Sequence, residues 1–441
     1  MKTERRSGAA AALLAAGVLV SGGCGGSRGD GLGPARTLAA SGAGNPTTAA
    51  DPRTGAAYVA WVGTQRGESD VYLARLAGSA PPAPVRVNTL PGDASTHDQA
   101  PPQVALGPRG EVYVLWQKSV KVPGRMYPKS DLRFARSLDG GRTWGPAGTV
   151  NDDAGGLPSS HTFHDLAVAP DGTVYVSWID GRARDQARAA RTRSAPAARP
   201  AAPAPATGAG MQHMHGGHDE AGLPGSEIRV ARSVDGGRTF SASTVVDGDA
   251  CPCCRTAMAL GPDGSVYVTW RKVFPGSVRD VVVARSTDGG RSFAAPVRVH
   301  RDGWVFPGCP EAGPSVAVDG TGRVHVGWYT GKEGHPGLFY AVSTDGGRSF
   351  GAPVPLVTGE WVPPSQVRVV ADGDGAWVAW DDRREQAKKV YLGRVSDGEV
   401  RVVDSRPGTL PDLAITGGAR SLAWRDGEAV RVQVSLGGEG R

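Results

Sequence analysis

The chain repeats one unit seven times, and this repetition constrains the fold more than any other feature of the sequence. Each unit has an apolar run, a turn containing Gly or Asp-Gly, and an alternating segment that ends in tryptophan, as in LAVAPDGTVYVSWI and MALGPDGSVYVTWR. Alternating runs joined by a glycine turn predict a β-hairpin, and a repeated hairpin predicts a repeat architecture rather than separate domains. The seven tryptophans are Trp61, Trp116, Trp178, Trp270, Trp328, Trp380 and Trp424.

A second motif follows the Trp-ended hairpin in four of the seven repeats. It reads SLDGGRTW at 137–144, SVDGGRTF at 233–240, STDGGRSF at 286–293 and STDGGRSF at 343–350. The paired glycines suit the positive φ angles of a tight turn, the aspartate can accept backbone N–H groups, and the aromatic residue can pack beneath the hairpin. The motif therefore predicts a second hairpin in each of these repeats.

The pattern S-x-D-G-G-R-[TS]-[WF] resembles the Asp-box, or BNR repeat, and nearly the whole mature chain resembles the sialidase superfamily of β-propellers. The resemblance implies an all-β fold, with residues 34–441 forming a single β-propeller domain. In that family the Asp boxes lie on outer hairpins, away from the catalytic face. The resemblance thus assigns a purely structural role to Asp139, Asp235, Asp288 and Asp345.

The number of predicted strands indicates how the ring closes. Six repeats supply two hairpins each, whereas the last one, from Leu410 to Leu436, supplies three strands. The segment PARTLAA, residues 34–40, can add the missing strand, because a propeller must avoid an open edge. We therefore predict seven blades by repeat count; the alternative is a six-bladed ring like that of sialidases.

The N-terminal region predicts export. Residues 1–23 combine a basic start with an apolar stretch, which is typical of a signal peptide. The ending VSGGC resembles a bacterial lipobox, which implies that Cys24 is lipidated and anchors the protein to a bacterial membrane, in the periplasm or at the cell surface. The alternative is an ordinary signal peptide that leaves Cys24 as a spare thiol. Residues 24–33 are glycine-rich and predict a flexible tether.

An insertion at about 183–226 interrupts the third repeat. Its Ala, Pro and Arg composition cannot bury a core, so we expect a disordered loop that is dispensable for folding. The tract MQHMHGGHDE within it gathers soft and imidazole ligands that suit copper, although it can equally be a solvated polar tract. Its candidate ligands are Met211, His213, Met214, His215 and His218.

The charge distribution bears on possible partners. The formal net charge is +6 at pH 7, but the basic residues are scattered and form no cluster typical of a nucleic-acid surface. We therefore expect no nucleic-acid partner and a monomeric protein. The remaining partner classes are a glycan, a small ligand or another protein.

Sialidase chemistry requires, by this resemblance, an arginine triad, a tyrosine and glutamate pair, and an aspartate acid. Arg255 and Arg368 are candidates for the clamp on the substrate carboxylate, since arginine matches that geometry. A third arginine and a Tyr/Glu pair are not recognisable, so no catalytic residue is assigned. The sequence favours an extracytoplasmic binding module; the alternative is an exo-sialidase or a related glycoside hydrolase with a diverged active site.

Counting back from each tryptophan places chemically active residues at matching positions. Such positions precede the innermost strand of each blade, so we expect them to converge at the mouth of the central funnel. Nineteen residues before a tryptophan stand His97, Cys251 and Cys309, and seventeen before stand His161, Cys253 and Glu311. Adjacent to these are Asp98, His164, Asp165 and Cys254.

Two interpretations of this funnel set remain open, and they can coexist. In an oxidising compartment, Cys309 can form a disulfide with Cys251 or Cys253, whereas the adjacent Cys253 and Cys254 point to opposite sides of an extended chain. Alternatively, thiolates with His97, His161 or His164 form a metal site whose ligand types suit copper or zinc.

Overall fold

The computed structural model describes residues 32–78, 82–123, 128–153, 155–194, 223–373, 375–396, 399–417 and 419–435. The predicted signal peptide, Cys24 and the Met- and His-rich tract of the insertion lie outside these described residues. Within the described part, no helix is both long and apolar enough to cross a membrane.

Twenty-eight strands and one α-helix make up the described structure. The first strand is β1 (Arg36–Ala39). The next strands are β2 (Thr47–Ala50), β3 (Ala57–Gln65), β4 (Glu68–Leu76), β5 (Val85–Arg86), β6 (Gln103–Leu106), β7 (Val112–Val120), β8 (Lys129–Ser137) and β9 (Gly148–Thr149). After them come β10 (His161–Val168), β11 (Val174–Asp180), α1 (Arg182–Ser194), β12 (Ser226–Ser233), β13 (Thr244–Ala250), β14 (Ala257–Leu260), β15 (Val266–Phe274), β16 (Val278–Ser286) and β17 (Val297–Arg298). The last are β18 (Ser315–Val318), β19 (Val324–Thr330), β20 (Gly337–Ser343), β21 (Val354–Thr358), β22 (Val367–Asp372), β23 (Gly375–Asp382), β24 (Lys389–Ser396), β25 (Glu399–Pro407), β26 (Thr409–Thr416), β27 (Ala419–Asp426) and β28 (Ala429–Ser435).

The strands form antiparallel groups of four, which we call blades and number in chain order from β2–β5. Blades three and four, β10–β13 and β14–β17, are additionally joined by one bridge between Ala250 and Lys272. The first strand of each blade contacts the first strand of the next, and β26 contacts β2. This ring of inner strands is a β-propeller, so the predicted all-β propeller fold is confirmed.

The N-terminal strand completes the last blade. β1 pairs with β28, with Arg36 opposite Val432 and Ala39 opposite Val430. Leu38 packs against the buried cluster that contains these two valines. The predicted pairing of residues 34–40 with the last repeat is therefore observed, and it removes the open edge of β28.

The repeated tryptophans are core residues. Trp116, Trp178, Trp270 and Trp328 are fully buried within the second strand of their blades. The surrounding clusters combine residues of neighbouring blades; for example, Trp328 packs with Tyr267 of the preceding blade. One repeat of the sequence thus corresponds to one blade, and its tryptophan packs against the neighbouring blade.

The S-x-D-G-G-R turns show the hydrogen bonds that the motif predicts. In blade four, Ser286 Oγ donates to Asp288 Oδ1 at 2.7 Å, and the same carboxylate oxygen accepts from the backbone N–H of Arg291 and Ser292 at 3.0 Å. Gly289 and Gly290 have φ angles of 70° and 78°, which glycine adopts without strain. The same bonding holds at Asp139, Asp235 and Asp345.

Replacing Ser286 with alanine is expected to lower the free energy of unfolding by about 1 to 2 kcal/mol. Ser286 is buried, and its Oγ accepts the N–H of Gly290 at 2.8 Å, so the substitution leaves a buried donor without a partner. Urea denaturation measures the loss. The equivalent serines Ser137, Ser233 and Ser343 serve as replicates, and unchanged stability in all four variants would contradict this role for the turn.

The insertion differs from its prediction at its start. Residues predicted as disordered from 183 onward instead begin with α1, Arg182–Ser194. Ala, Arg and Gln are strong helix formers, and Asp185 in the first turn favours the helix dipole. Asp185 is buried and forms an ion pair with Lys129, which fastens the start of the helix to blade two. The expectation that the insertion is entirely disordered is therefore wrong for α1.

Candidate functional site

Loops from several blades meet around two adjoining cavities, which we call the mouth. The smaller cavity has a volume of about 310 Å³ and is lined by Asn45, His97 and Arg425 among others. The larger has a volume of about 460 Å³. Asp98 lines both. The polar and charged residues lining the larger cavity are Asp98, Gln99, Glu311, Gln366, Arg383 and Lys388.

Hydrogen bonds join the loops of different blades at the smaller cavity. The Asn45 side chain donates to the backbone oxygen of Asp98 at 2.8 Å. Arg425 donates to Asp98 Oδ1 at 3.0 Å and to Asn45 Oδ1 at 3.1 Å. Two loops and the end of β27, all distant in sequence, are therefore held in one arrangement before any ligand arrives.

Two buried glutamines stand at the larger cavity. Gln366 is only 3% exposed, and its Nε2 donates to the backbone oxygen of Glu311 at 2.9 Å. Gln366 Oε1 is buried and, among the described residues, has no hydrogen-bond partner. Gln99 is 1% exposed, and its Oε1 accepts the N–H of Gly313 at 3.2 Å. A buried amide oxygen without a donor is unfavourable, and Gln366, which lines the larger cavity, carries such an oxygen.

An exposed aromatic residue belongs to one of the loops that line the larger cavity. Trp361 is 65% exposed, and it belongs to the loop whose Pro363 and Pro364 line the larger cavity. Glu311 adopts φ 50°, an uncommon value for a residue other than glycine. Residues other than glycine that adopt such uncommon backbone angles cluster at functional sites.

The two arginines considered for a carboxylate clamp are engaged inside the ring. Arg368 Nε lies 3.0 Å from Asp412 Oδ1. Burial opposes its charge, but Asp412 and Asp165 outweigh that effect and raise the pKa of Arg368. Arg255 donates to the backbone oxygen of Val367 at 3.4 Å. Burial, followed by the charge of Arg368, lowers the pKa of Arg255. The clamp expected of a sialidase is therefore not assembled from this pair.

The cysteines form a compact group beside the mouth. Cys253 and Cys309 form a disulfide with a Cα–Cα distance of 5.9 Å, which is one of the two predicted pairings. It joins the loop before blade four to the loop before blade five. Cys309 also lines the larger cavity, so one end of the disulfide faces the mouth.

Two free thiols lie behind this disulfide. Cys251 and Cys254 are fully buried, and their sulfurs are 3.1 Å apart. Burial raises the pKa of Cys251, but the hydrogen bond from Cys254 and the charges of Arg279 and Arg271 outweigh it and lower that pKa to about 6. Burial and the adjacent Cys251 raise the pKa of Cys254 well above its usual value.

Two buried arginines surround the free thiols. Arg279 Nη1 donates to Cys251 Sγ at 3.1 Å. Arg271 donates to the backbone oxygens of Ala312 and Tyr329 and lies over the ring of Trp304. Both arginines are fully buried, and within the described part of the chain neither forms an ion pair with a carboxylate. The sulfur of Cys251 thus accepts a hydrogen bond from one of two buried cations that have no carboxylate partner in the described part of the chain.

The predicted histidine ligands do not join the sulfurs. Among the described residues, the only group of three or more His, Cys, Asp or Glu ligand atoms within 4.8 Å of one another is Cys251, Cys253 and Cys254. His161 instead lies 3.0 Å from Asp153, and although burial opposes it, Asp153 and Asp180 raise the pKa of His161. Burial lowers the pKa of His164 to about 4. His97 packs edge-on against Phe163.

These positions correct the predicted metal set. His97 and Glu311 line the mouth, whereas His161 and His164 are buried in blade three. Of the three clustered sulfurs, Cys253 is bonded to Cys309, which leaves two thiols. Structural zinc sites use four ligands, so the arrangement does not fit zinc. Copper binding by the two soft sulfurs stays a prediction.

The offset from the repeated tryptophan identifies one of these two glutamines in the sequence. Gln99 stands seventeen residues before Trp116, the same offset as His161, Cys253 and Glu311. Gln366 lies fourteen residues before Trp380 and shares no such offset. The offset rule therefore identifies Gln99 but not Gln366.

No family model matches this chain, and the curated proteins likewise contain no match. Among solved structures, an ulvan lyase from a polysaccharide lyase family, bound to -[GlcA(1-4)Rha3S]-, is 14% identical with a TM-score of 0.56; the match covers 91% of this chain and 95% of that one. A Hadza microbial sialidase is 13% identical with a TM-score of 0.51, covering 84% and 73%. NanB sialidase from Streptococcus pneumoniae is 9% identical with a TM-score of 0.50, covering 91% and 94%. At such identities the likeness is one of fold, and it confirms that this chain has the β-propeller fold found in sialidases and in a polysaccharide lyase.

Proposed function

We propose that the protein is a saccharide-binding propeller that works outside the cytoplasm and takes its ligand at the mouth. The observation that carries this proposal is that Gln366, whose buried Oε1 has no hydrogen-bond partner among the described residues, lines a cavity of about 460 Å³ together with other donors and acceptors. Such a volume lies within the usual range for small-ligand sites.

The lining matches the hydrogen-bonding needs of a sugar. Hydroxyl groups both donate and accept, and so they require partners of both kinds. Asp98 and Glu311 supply acceptors, Lys388 supplies donors, and Gln366 supplies an acceptor that has no partner among the described residues. Arg383 also lines the cavity, and two of its nitrogens donate to Asp381. An apolar ligand would leave most of these groups without partners, which disfavours hydrophobic ligands.

Trp361 supplies the apolar surface that complements these groups. A tryptophan ring offers a large flat face at a low entropy cost, and the C–H face of a sugar ring can lie on it. The structurally similar proteins named as sialidases and as an ulvan lyase bound to a saccharide support a carbohydrate ligand. The cavity carries the acidic residues Asp98 and Glu311 as well as the basic residues Arg383 and Lys388, so its charge does not select between an acidic and a neutral saccharide.

The proposal is binding rather than hydrolysis. Arg368 is paired with Asp412, so it is not free to hold a substrate carboxylate. We also propose, from the N-terminal signal and Cys24, that a lipid anchor holds the protein at a bacterial membrane. The protein would then bind saccharides at the cell surface or in the periplasm without turning them over.

Glycan binding by the whole chain tests this function. Uronate-containing, sialylated and neutral saccharides are titrated calorimetrically against the wild type. Gln366→Leu is expected to weaken binding about tenfold, since the ligand loses the acceptor at the cavity. Trp361→Ala is expected to weaken it by a similar factor because the stacking face is lost.

Two variants control for indirect effects. Gln433→Leu removes another buried amide oxygen that has no partner among the described residues, but it lies on β28 away from the mouth. Leu138→Ala removes an exposed apolar side chain on a distant turn. Both should bind as the wild type does. Absence of binding to every saccharide class, or equal binding by Gln366→Leu and Trp361→Ala, would refute the proposal.

A further inference from the structure

The four cysteines beside the mouth form a continuous row of sulfurs that saccharide binding does not use. Cys309 lines the larger cavity and is bonded to Cys253. Cys251 Sγ lies 3.6 Å from Cys253 Sγ and 3.1 Å from Cys254 Sγ. The row therefore runs from the mouth to a fully buried thiol, with each sulfur in contact with the next.

We propose that these cysteines form a thiol–disulfide relay, which passes two electrons from the buried pair Cys251 and Cys254 to a disulfide compound at the mouth. Exchange of this kind proceeds when a thiolate attacks a disulfide sulfur through a mixed disulfide. The contacts place an attacking sulfur next to its target at both internal steps, and neither internal step needs an outside oxidant.

In the first internal step, the Cys251 thiolate attacks Cys253 Sγ. The Cys251–Cys253 bond forms, the Cys253–Cys309 bond breaks, and Cys309 leaves as a thiolate at the mouth. In the second step, Cys254 loses its proton and attacks Cys251 Sγ, so the Cys251–Cys254 bond forms and Cys253 leaves and takes up a proton. One disulfide and two thiols are present before and after, so atoms and electrons balance.

The external step uses the disulfide compound, R–S–S–R, as the oxidant. Cys309 attacks one of its sulfurs and releases the first R–SH, which leaves a mixed disulfide on Cys309. Cys253 then attacks Cys309 Sγ, restores the Cys253–Cys309 bond and releases the second R–SH. The protein ends with two disulfides, and the compound has gained two electrons and two protons. One proton comes from Cys254 through Cys253, and the other comes from water because Cys251 starts as a thiolate.

The buried arginines favour Cys251 as the attacking sulfur. Arg279 donates to Cys251 Sγ, and Arg271 lies nearby without a carboxylate partner among the described residues. Buried cations are stabilised by an adjacent anion, so their charges favour the anionic form of this sulfur. A disulfide with only a structural role requires neither a second thiol pair in contact with it nor two buried cations around that pair.

Reaction with Ellman's reagent, an aromatic disulfide, tests the relay on the whole folded chain. The chain carries Cys24→Ser, so every thiol belongs to the row. We expect release of two thiol equivalents and no retained adduct. Peptide mass spectrometry should then find Cys251–Cys254 together with Cys253–Cys309. Cys309→Ser removes the sulfur that attacks the reagent at the mouth, so it should slow the reaction on the order of tenfold or more.

Cys254→Ser keeps the native disulfide and gives a sharper result. The first internal step should proceed and the second should not, so one thiol equivalent is released and the reagent stays on Cys309, with Cys251 bonded to Cys253. An adduct on Cys251 would mean direct access and would overturn the relay. Thiols that react only after unfolding, or only after a bound copper ion is removed, would overturn it as well.

Discussion

Replacing Cys251 with alanine is expected to lower the free energy of unfolding by about 3 to 5 kcal/mol at pH 9. Arg271 and Arg279 are fully buried, and the Cys251 sulfur accepts a hydrogen bond from Arg279 at 3.1 Å. Removing one partner of a buried ion pair leaves the other charge uncompensated, which is more destabilising than the loss of a packed sulfur. Urea denaturation under anaerobic conditions measures the difference.

The effect should depend on pH. The pKa of Cys251 is lowered to about 6, whereas an unfolded cysteine has a pKa of about 8.5. Because the folded state is ionised at lower pH, the stabilisation is complete above about pH 8.5 and is lost as the pH falls through 6. The difference between wild type and Cys251→Ala should therefore be largest at pH 9 and shrink towards pH 6.

Cys254→Ala is the matched control for this prediction. Cys254 is equally buried, but its pKa is raised, so it stays neutral across the same range. Its replacement should cost about 1 to 2 kcal/mol, and because it also removes the hydrogen bond that helps to lower the Cys251 pKa, we expect a pH dependence weaker than that of Cys251→Ala between pH 6 and pH 8.5. Equal, pH-independent losses in the two variants would show that Cys251 contributes through packing alone.

The propeller ring could be predicted from the sequence because each repeat unit is formed by residues that are close together in the chain. A hairpin ending in tryptophan is encoded by adjacent residues, and repetition then predicts that neighbouring units bury one another. Trp178 and Trp270 are indeed buried between blades. The helix α1 was missed because Ala- and Arg-rich composition was interpreted as disorder, although the same residues favour a helix when Asp185 is paired.

The cysteine group could be predicted only in part. Cys251 and Cys253 are two residues apart, so spacing alone could not select the partner of Cys309. In the structure Cys253 is the partner of Cys309, with 5.9 Å between their Cα atoms, while a turn after β13 brings Cys251 and Cys254 together. The histidines at equivalent offsets do not meet the sulfurs. His161, for example, is held by Asp153, which lies in the loop just before the strand that contains His161.

The arrangement of side chains at the mouth depends on long-range contacts, which the repeat pattern of the sequence does not predict. Gln366 acquires its role because its amide nitrogen donates to the Glu311 backbone oxygen of the preceding blade, while its own oxygen remains without a partner in the described part of the chain. Sequence offsets predict which residues precede a blade. They do not predict which polar atoms are satisfied.

A chain that begins at Ser41 is expected to be roughly 4 to 6 kcal/mol less stable than one that begins at Leu32, because it lacks β1. The truncation removes the backbone pairing of Arg36–Ala39 with β28 and the contact of Leu38 with the cluster around Val432. It also leaves the edge of β28 unpaired, and an exposed edge promotes association between chains. Thermal denaturation and light scattering measure the two effects.

Adding the missing strand in trans separates closure from other consequences of truncation. A peptide with the sequence GPARTLAAS can pair with the edge of β28, since an extended peptide can add a strand to an open sheet. It should restore the melting temperature and suppress association, whereas a peptide with the same residues in scrambled order should do neither. If the chain beginning at Ser41 is as stable and as monomeric as the longer one, the propeller does not depend on β1 for closure. If stability falls but the peptide has no effect, the loss arises from the truncated end rather than from the unpaired edge.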